Sequence, residues 1–435
     1  MALGGGNFTT QNKVLPGSYI NFVSTSNNAN VFGERGIGAM CFANDWLAQG
    51  VVTEITAEDF LTNSTKILGH DYGDDSMLVL REFFKNGSKL YAYNLNGGGV
   101  KANNAYCTAK NAGTRGNDLK TVIAKNVDNT NLYDVSTYLG TMLVDKQTVA
   151  TSKDLVSNDF VTFLPSASLT VTAGTNLTGG TNGTFNETQV AQNFINALEP
   201  YSFNGLCVVT DNSSVNSLLA AYTKRMRDSV GKKFQAVVFD TDNNYDYEGV
   251  IVVPNQSDED DGVVVAWVLG AVAGCEINKS LTNTVYNGEL DIDVNYTQSG
   301  LEDFIGDGFF TFHKVGSEVR VLEDINSLKS TTIEKSNIFK NNQTVRVCDQ
   351  IATDIAEIFN TYYLGKVQND DMGRTAFRGD IINHHNVLVG KRAIEAFNSE
   401  DIQITQGNEK GSVVVNETIT IINTMDKLYM TVKVN

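Results

Sequence analysis

The sequence predicts a multidomain chain of mixed α+β and α/β class, in which an α/β core carries an inserted small all-β domain. Three observations predict it: a length of 435 residues, short strand-like runs after residue 99, and strand–helix alternation after residue 183. The predicted units are an N-terminal strand-exchange arm (1–24), a discontinuous α/β core (25–99 and 184–344), the inserted β domain (100–183), a C-terminal domain (345–411) and a C-terminal β-hairpin or arm (412–435).

The first two dozen residues predict an extended arm that needs a partner surface. Gly4, Gly5 and Gly6 leave the backbone free to swing and form the predicted hinge. Aromatic and β-branched residues follow without a helical period, which suits a half-buried strand. The arm residues expected to contact another subunit are Phe8, Thr9, Tyr19, Ile20, Phe22 and Val23.

The first part of the core and the insertion differ in the secondary structure that their residue patterns predict. Residues 50–55 and 89–95 predict strands, and the apolar spacing over 75–85 predicts a helix. Three glycines at 97–99 mark a domain border. Beyond them, runs at 118–124, 141–145 and 159–164 are separated by Asn, Gly and Asp, which predicts an all-β insertion.

The core resumes after the glycine-rich stretch 177–183. Asn186 with Gln189 predicts a capping box at the start of a helix. The elements that follow are helices over 190–198 and 215–226, buried strands over 206–209 and 234–239, and an apolar run over 263–273 behind the acidic stretch 258–261.

The last hundred residues predict two helices and a hairpin. Apolar residues at helical spacing cover 347–362, up to Gly365, and a second helix is predicted over 373–389. Strands over 413–422 and 427–434 are predicted to pair around a turn at 424–426, with one buried face. The side chains expected in inter-subunit strands are Ile419, Ile421, Leu428, Met430, Val432 and Val434.

Composition narrows the function classes. A net charge of -17 argues against nucleic acid as the main partner, because phosphate binding requires basic patches. The 5 cysteines are far apart and predict reduced, buried thiols. No signal peptide and no membrane-spanning apolar run are evident, so direct membrane insertion is not expected.

Motifs for catalysis, metals and cofactors are incomplete. Asp380 and His384 stand four apart on a predicted helix, but an ordinary helix surface is the favoured interpretation. The segment at 240–251 lacks the glycine and glutamate of a calcium loop, and 274–280 lacks the glycine that a phosphate loop needs before its lysine. We therefore expect no catalytic residue, no metal site and no cofactor.

Two ends that offer or receive strands indicate a self-assembling protein. The segments 1–22, 112–120, 177–183, 273–282, 372–374 and 393–395, taken in order along essentially the whole chain, resemble those of contractile-tail sheath proteins of myovirus-type phages and defective prophages of Gram-positive bacteria. Cys275 and Glu276 depart from the small residue and proline of that family's turn. A shell or surface-layer protein and, less favoured, a nucleotide-binding α/β enzyme remain as alternatives.

The resemblance implies a non-enzymatic subunit that stacks in many copies around an inner tail tube protein, with arms joined to neighbouring copies. Its partners would be further copies, the tube, and baseplate and tail-terminator proteins, in a virion or phage-tail-like particle assembled in the host bacterial cytoplasm. The insertion would face outward and the C-terminal domain inward. The basic residues expected to face the tube are Arg374, Arg378, Lys391 and Arg392.

Overall fold

A computed structural model describes residues 35–258 and 262–434 of the chain. Its strands are β1 (Ile37–Phe42), β2 (Thr53–Thr56), β3 (Lys89–Asn94), β4 (Cys107–Ala109), β5 (Leu119–Lys125), β6 (Tyr133–Leu139), β7 (Met142–Val149), β8 (Val161–Phe163), β9 (Thr172–Asn176), β10 (Gly205–Val208), β11 (Gln235–Phe239), β12 (Val250–Val253), β13 (Phe312–Val315), β14 (Glu318–Val321), β15 (Gln403–Gln406) and β16 (Val413–Asn416).

Helices cover the sheets and form much of the C-terminal region. They are α1 (Ala57–Leu68), α2 (Leu78–Phe84), α3 (Glu187–Ala197), α4 (Ser213–Arg225), α5 (Val264–Gly274), α6 (Gln298–Gly306), α7 (Asn342–Ile358) and α8 (Asp371–Gly390). A π-helical turn extends α4 over Met226–Val230, and another extends α7 over Phe359–Tyr363.

The central layer is a six-stranded sheet in the order β12-β11-β10-β1-β3-β2. Neighbouring strands are parallel except for β2, which runs antiparallel to β3 at the edge. The sheet therefore combines strands that precede the β4–β9 segment with strands that follow it. The central strand β1 pairs with β10 on one side and with β3 on the other. This strand was not predicted from the sequence.

Helices pack on both faces of this sheet. On one face α5 is buried from Val264 to Ala273, and its Trp267 contacts the rings of Tyr286 and Phe312. A Cβ at Gly270 would lie 2.2 Å from the carbonyl oxygen of Phe83, so only glycine permits this close approach of α5 to α2. The other face is covered by apolar residues of α3 and α4. Both faces of the parallel sheet are thus buried, as is usual for such sheets.

The segment between the two halves of the core contains the strands β4 to β9 and two short 3₁₀ turns, Thr114–Asp118 and Ser152–Asp154. Four antiparallel strands lie in the order β7-β6-β5-β9, and β4 pairs with β8. Its apolar core includes Trp46, which comes from the core side of the junction. The runs predicted at 118–124, 141–145 and 159–164 overlap β5, β7 and β8, whereas β4, β6 and β9 were not predicted from the sequence.

The C-terminal region contains two long helices and a two-stranded sheet. The helix predicted over 373–389 spans Asp371–Gly390, with the side chain of Asp370 capping its first turn. Buried ion pairs tie α7 to the core: Arg346 lies 3.2 Å from Asp324, and Arg227 holds Asp349 through two hydrogen bonds of 2.6 and 2.8 Å. Because these charges are desolvated, their pairing fixes how α7 sits on the core.

The predicted terminal hairpin is not formed within the described chain. Strand β16 pairs antiparallel with β15, and Ile421 bridges to Ile394, so the first half of the predicted hairpin has other partners. Residues 427–434 form no strand. The alternation there predicts a strand but does not identify its partner, and an isolated two-stranded hairpin is only marginally stable.

Two smaller expectations also need correction. Asn186 accepts a hydrogen bond from the backbone of Gln189, but the Gln189 side chain donates to Asn193, so the cap is one-sided rather than a capping box. Of the five free cysteines, Cys275, which directly follows α5, and Cys348, which lies on α7, are only partly buried.

Candidate assembly interface

An apolar groove of about 590 Å³ runs between α7 and β16. We call it the α7–β16 groove; its lining residues are Cys348, Ile351, Ala352, Ile355, Ala356, Phe359, Phe377, Ile381, Val413, Val415, Glu417 and Ile419. Ala352 and Ala356 are exposed, so small side chains leave the surface of α7 accessible. Burial raises the pKa of the Cys348 thiol to about 11, which keeps this part of the groove uncharged at neutral pH.

The sheet beside the groove has an unpaired edge. Within the described residues, β16 hydrogen-bonds to β15 alone, so its far side presents free backbone groups. Val413 and Val415 point toward the helices and pack with Phe377 and Ile381. A strand added along this edge would place every second side chain into the α7–β16 groove, because side chains alternate between the faces of a sheet.

Residues 422–424 contact the start of α7, and the residues that follow are exposed to solvent. The side chain of Gln343 donates to the carbonyl oxygen of Ile422 and accepts from the backbone of Thr424. Beyond Lys427 the apolar side chains are open to solvent: Leu428 is 86% exposed and Val434 is 89% exposed. We call residues 428–434 the terminal tail. Its alternating apolar residues form a strand pattern without a buried face.

The structure separates the predicted C-terminal contact residues into two groups. Ile419 and Ile421 are partly buried and pack inside the chain against the cluster that contains Val347 and Leu388. Leu428, Met430, Val432 and Val434 lie in the exposed terminal tail. The predicted N-terminal contacts Phe8, Thr9, Tyr19, Ile20, Phe22 and Val23 and the hinge Gly4, Gly5 and Gly6 lie outside the described residues.

The four basic residues proposed to face a tube do not form one cluster. They lie on or just after α8, a helix of 20 residues that is about 30 Å long. Near its start, Arg374 donates to Asn369 and pairs with Asp371, and Arg378 donates to the carbonyl oxygens of Ile402 and Ser399. Lys391 and Arg392 lie at the opposite end and are exposed.

Asp380 and His384 do not form a metal-binding face. Asp380 accepts a hydrogen bond from the Tyr363 hydroxyl, whereas His384 is fully buried and contacts Asp354 on α7. In the parts of the chain that the structure describes, no three His, Cys, Asp or Glu side chains are placed to hold a metal ion. The sequence pattern predicts an ordinary helix surface here, whereas His384 and His385 are both fully buried.

No helix within 35–258 and 262–434 combines the length and the apolar character needed to cross a bilayer. The α7–β16 groove, the free edge of β16 and the terminal tail together form the candidate assembly interface.

Family models of sheath proteins match successive parts of the chain. They are the "Tail sheath protein Gp18 domain III N-terminal region" over 35–95, the "Phage tail sheath protein beta-sandwich domain" over 96–182, the "Phage tail sheath protein central domain" over 186–327 and the "Phage tail sheath C-terminal domain" over 334–435.

Individual proteins give the same result. The chain is 31% identical to Phage-like element PBSX protein XkdK of Bacillus subtilis (strain 168), with 100% of both chains covered. It superimposes on the crystal structure of a sheath tail protein from Desulfitobacterium hafniense with a TM-score of 0.81 and 32% identity, covering 95% of this chain and 99% of the other. The contracted helical sheath of the anti-feeding prophage shares the fold at 12% identity, with a TM-score of 0.55 and coverage of 97% and 99%.

Proposed function

The chain belongs to the phage tail sheath protein family, and from that premise we propose that it is the repeating subunit of a contractile sheath whose copies are joined by exchanged strands. Its matched relatives support a structural rather than catalytic role. In this proposal the sheath surrounds an inner tube, is anchored at a baseplate, is closed by a terminator, and shortens to drive the tube through a target envelope.

The observation that carries the proposal is the coexistence of an acceptor and a donor on one chain. The acceptor is the free edge of β16 beside the α7–β16 groove. The donor is an alternating apolar segment that is exposed on its own chain, the terminal tail. In a repeating assembly each copy would provide both, so the strands could link copies without a second protein.

The segment we assign to the groove is the N-terminal arm of one neighbouring copy, and the terminal tail would pair as a strand with another copy. Ordering an extended segment costs roughly 1–2 kcal/mol per residue. Each added ladder hydrogen bond returns about 0.5–1.5 kcal/mol net, so hydrogen bonds alone roughly break even. Burial of large side chains such as Phe8, Tyr19 and Phe22 adds roughly 1.5–3 kcal/mol each. The arm therefore binds only where an apolar groove receives these side chains.

Truncation tests the arm. A chain that begins at Ser24 keeps the described core, so we expect it to fold and to stay dispersed. Electron microscopy of the full and shortened chains, purified identically, gives the readout. Tubes or sheaths formed by the shortened chain would refute the exchange proposal.

A point variant tests the groove separately. Ala352→Trp fills the α7–β16 groove at an exposed position, and Thr353→Trp adds the same bulk at the next residue, which lines a cleft on the other side of α7. We expect Ala352→Trp to abolish assembly and Thr353→Trp to permit it. Equal behaviour of the two variants would mean that the groove is not the acceptor.

Contraction in this proposal draws on energy stored during assembly. The extended sheath would be a metastable state built on the tube, and release would let copies move to larger contacts. Calorimetry of assembled particles is then expected to record one irreversible, exothermic event without added nucleotide. A strict nucleotide requirement would contradict this account.

A further inference from the structure

A cleft of about 640 Å³ lies on the other side of α7 from the α7–β16 groove, at the amino ends of three parallel strands. Arg35 precedes β1, Asn204 directly precedes β10, and residues 232–233 lie just before β11. The strand order β11-β10-β1 places these segments side by side. We call this space the α7–core cleft; its charged lining residues are Arg35, Lys232, Lys233, Arg346, Asp349 and Glu357.

Positive charge is in excess along the α7–core cleft. The lining residue Arg346 is paired with Asp324. The lining residue Asp349 is paired with Arg227. Of the other charged lining residues, three are cations and only Glu357 is a carboxylate. The cleft is therefore a locally basic site in a chain whose net charge is -17.

Within the described residues, the three remaining cations contact carbonyl oxygens rather than carboxylates. Nε and Nη2 of Arg35 donate to two backbone carbonyl oxygens near the end of α5, over 2.9 and 3.1 Å. The ammonium groups of Lys232 and Lys233 also donate to backbone carbonyl oxygens. A guanidinium has five N–H donors and an ammonium has three, so each of these side chains keeps donors for a ligand.

The charge of Arg35 is poorly compensated by its surroundings. Burial, together with the neighbouring Arg346, lowers the pKa of Arg35 to about 10. The nearby carboxylates of Asp349 and Asp354 act in the opposite direction and offset this only in part. The guanidinium is still charged at neutral pH, so an anion in the cleft would supply attraction that the chain itself does not provide.

We propose that the α7–core cleft binds an oxyanion of the phosphate type, with Arg35, Lys232 and Lys233 as the side chains that hold it. Neighbouring strands lie about 4.8 Å apart, so the starts of β1 and β11, with β10 between them, are roughly 10 Å apart. Long basic side chains on the two sides can meet at one anion across that distance. Guanidinium and ammonium groups are the usual phosphate-binding groups of proteins. The inference goes beyond the proposed function, because it concerns a ligand of one chain rather than contacts between copies.

A bound anion would connect the core to the second half of α7. The wall opposite the basic side chains includes Thr353 and Asn360, which are exposed polar residues on α7 and its π-helical extension. The side-chain amide of Asn360 can donate to an oxyanion. The two buried ion pairs of α7 lie in its first half, so the anion would restrain a part of the helix that they do not reach.

Equilibrium dialysis of the full-length protein against radiolabelled inorganic phosphate measures the binding, in dispersed and assembled chains alike. We expect saturable binding at constant ionic strength. Lys232→Gln with Lys233→Gln should reduce the affinity about tenfold or more, because glutamine keeps a donor but lacks the charge. Lys153→Gln with Lys314→Gln removes the same charge from exposed positions outside the cleft and should change the affinity less than about twofold. Equal reductions in the two double variants, or no saturable binding, would overturn the proposal.

Competition identifies the form of the anion. Displacement of labelled phosphate by unlabelled phosphate but not by adenosine monophosphate would assign the site to free phosphate. Displacement by both would assign it to a phosphate group carried on a larger molecule. Sodium acetate at the same ionic strength should displace little, and displacement as strong as that by phosphate would contradict a site for phosphate-type oxyanions.

Hydrogen exchange tests the connection to α7. With phosphate at about ten times its dissociation constant, exchange at 353–361 is expected to slow about tenfold in the wild type and in Lys153→Gln with Lys314→Gln. Lys232→Gln with Lys233→Gln should show little slowing at the same phosphate concentration. Unchanged exchange at 353–361 in the phosphate-bound wild type would refute the connection between the anion and α7.

Discussion

The six-stranded core sheet has helices on both of its faces, whereas the β15–β16 sheet has helices on only one. In the core, the apolar residues of β10, β11 and β12 are all buried. In the C-terminal sheet, Val413 and Val415 are only partly buried and border the α7–β16 groove. The comparison indicates that the core is complete within one chain, while the C-terminal sheet has apolar surface left for another segment.

The largest loss of stability should come from a substitution in the core. Trp267→Ala removes a fully buried side chain whose Nε1 donates to Asn287 over 2.7 Å. We expect a loss of about 3–5 kcal/mol in the free energy of unfolding, because a cavity remains where the ring was. Urea unfolding followed by circular dichroism measures it. The exposed Val127→Ala is the control and should change stability by less than about 0.5 kcal/mol.

The buried ion pair between α7 and the core should contribute nearly as much to stability. Arg346→Met leaves the buried Asp324 without its cation, and we expect a loss of about 3 kcal/mol. Adding Asp324→Asn should restore part of it. Arg225→Met, in the half-exposed pair with Glu199, is the matched control and should cost less than about 1 kcal/mol. Similar losses of stability for Arg346→Met and Arg225→Met would show that burial does not determine the contribution of the Arg346–Asp324 pair.

Substitutions in the C-terminal sheet should reduce the stability of the unassembled chain only slightly. Val415→Ala removes apolar contact at a partly buried position, so we expect a loss of about 1 kcal/mol. Val414→Ala, on the opposite and exposed face, should have almost no effect. If the groove is covered in the assembly, Val415→Ala should also raise the concentration needed for assembly. A loss as large as that of Trp267→Ala would mean that the C-terminal sheet is already complete in one chain.

The terminal tail should contribute nothing to the stability of its own chain. Replacing Leu428, Met430 and Val432 together with Ser is expected to leave urea unfolding unchanged within about 0.5 kcal/mol and to prevent assembly seen by electron microscopy. The alternate set, Tyr429, Thr431 and Lys433, replaced in the same way, should still assemble. Equal loss in both sets would argue against a strand with one buried face.

The smallest effect concerns the tube. Lys391 and Arg392 are exposed, so Lys391→Glu with Arg392→Glu should weaken co-assembly with the tube. The free energy of unfolding should change by no more than about 1 kcal/mol, the usual upper limit for an exposed ion pair. Arg374→Glu should instead disturb its own contacts with Asn369 and Asp371. Lys153→Glu in the β insertion is the control. Unchanged tube co-assembly in the double variant would assign Lys391 and Arg392 to the solvated surface.

Sequence periodicity predicted the helices of the C-terminal region well, and for a physical reason. Val347, Ile351 and Ile358 recur at helical spacing and all face inward from α7. The predicted bounds of α8, 373–389, lie close to the observed Asp371–Gly390. Strand β1 was missed because its glycine and alanine residues have low strand propensity, and because burial on both faces removes the alternation that marks a strand.

The sequence by itself determined the class of the protein, the periodic helices and the apolar alternation of the terminal tail, because these depend on neighbouring residues along the chain. Only the tertiary structure decided that β16 pairs with β15, that the tail has no partner within its described chain, and that His384 and His385 are buried between two carboxylates. These features depend on which distant segments meet, and an alternating or helical pattern specifies a face to bury without specifying what will cover it.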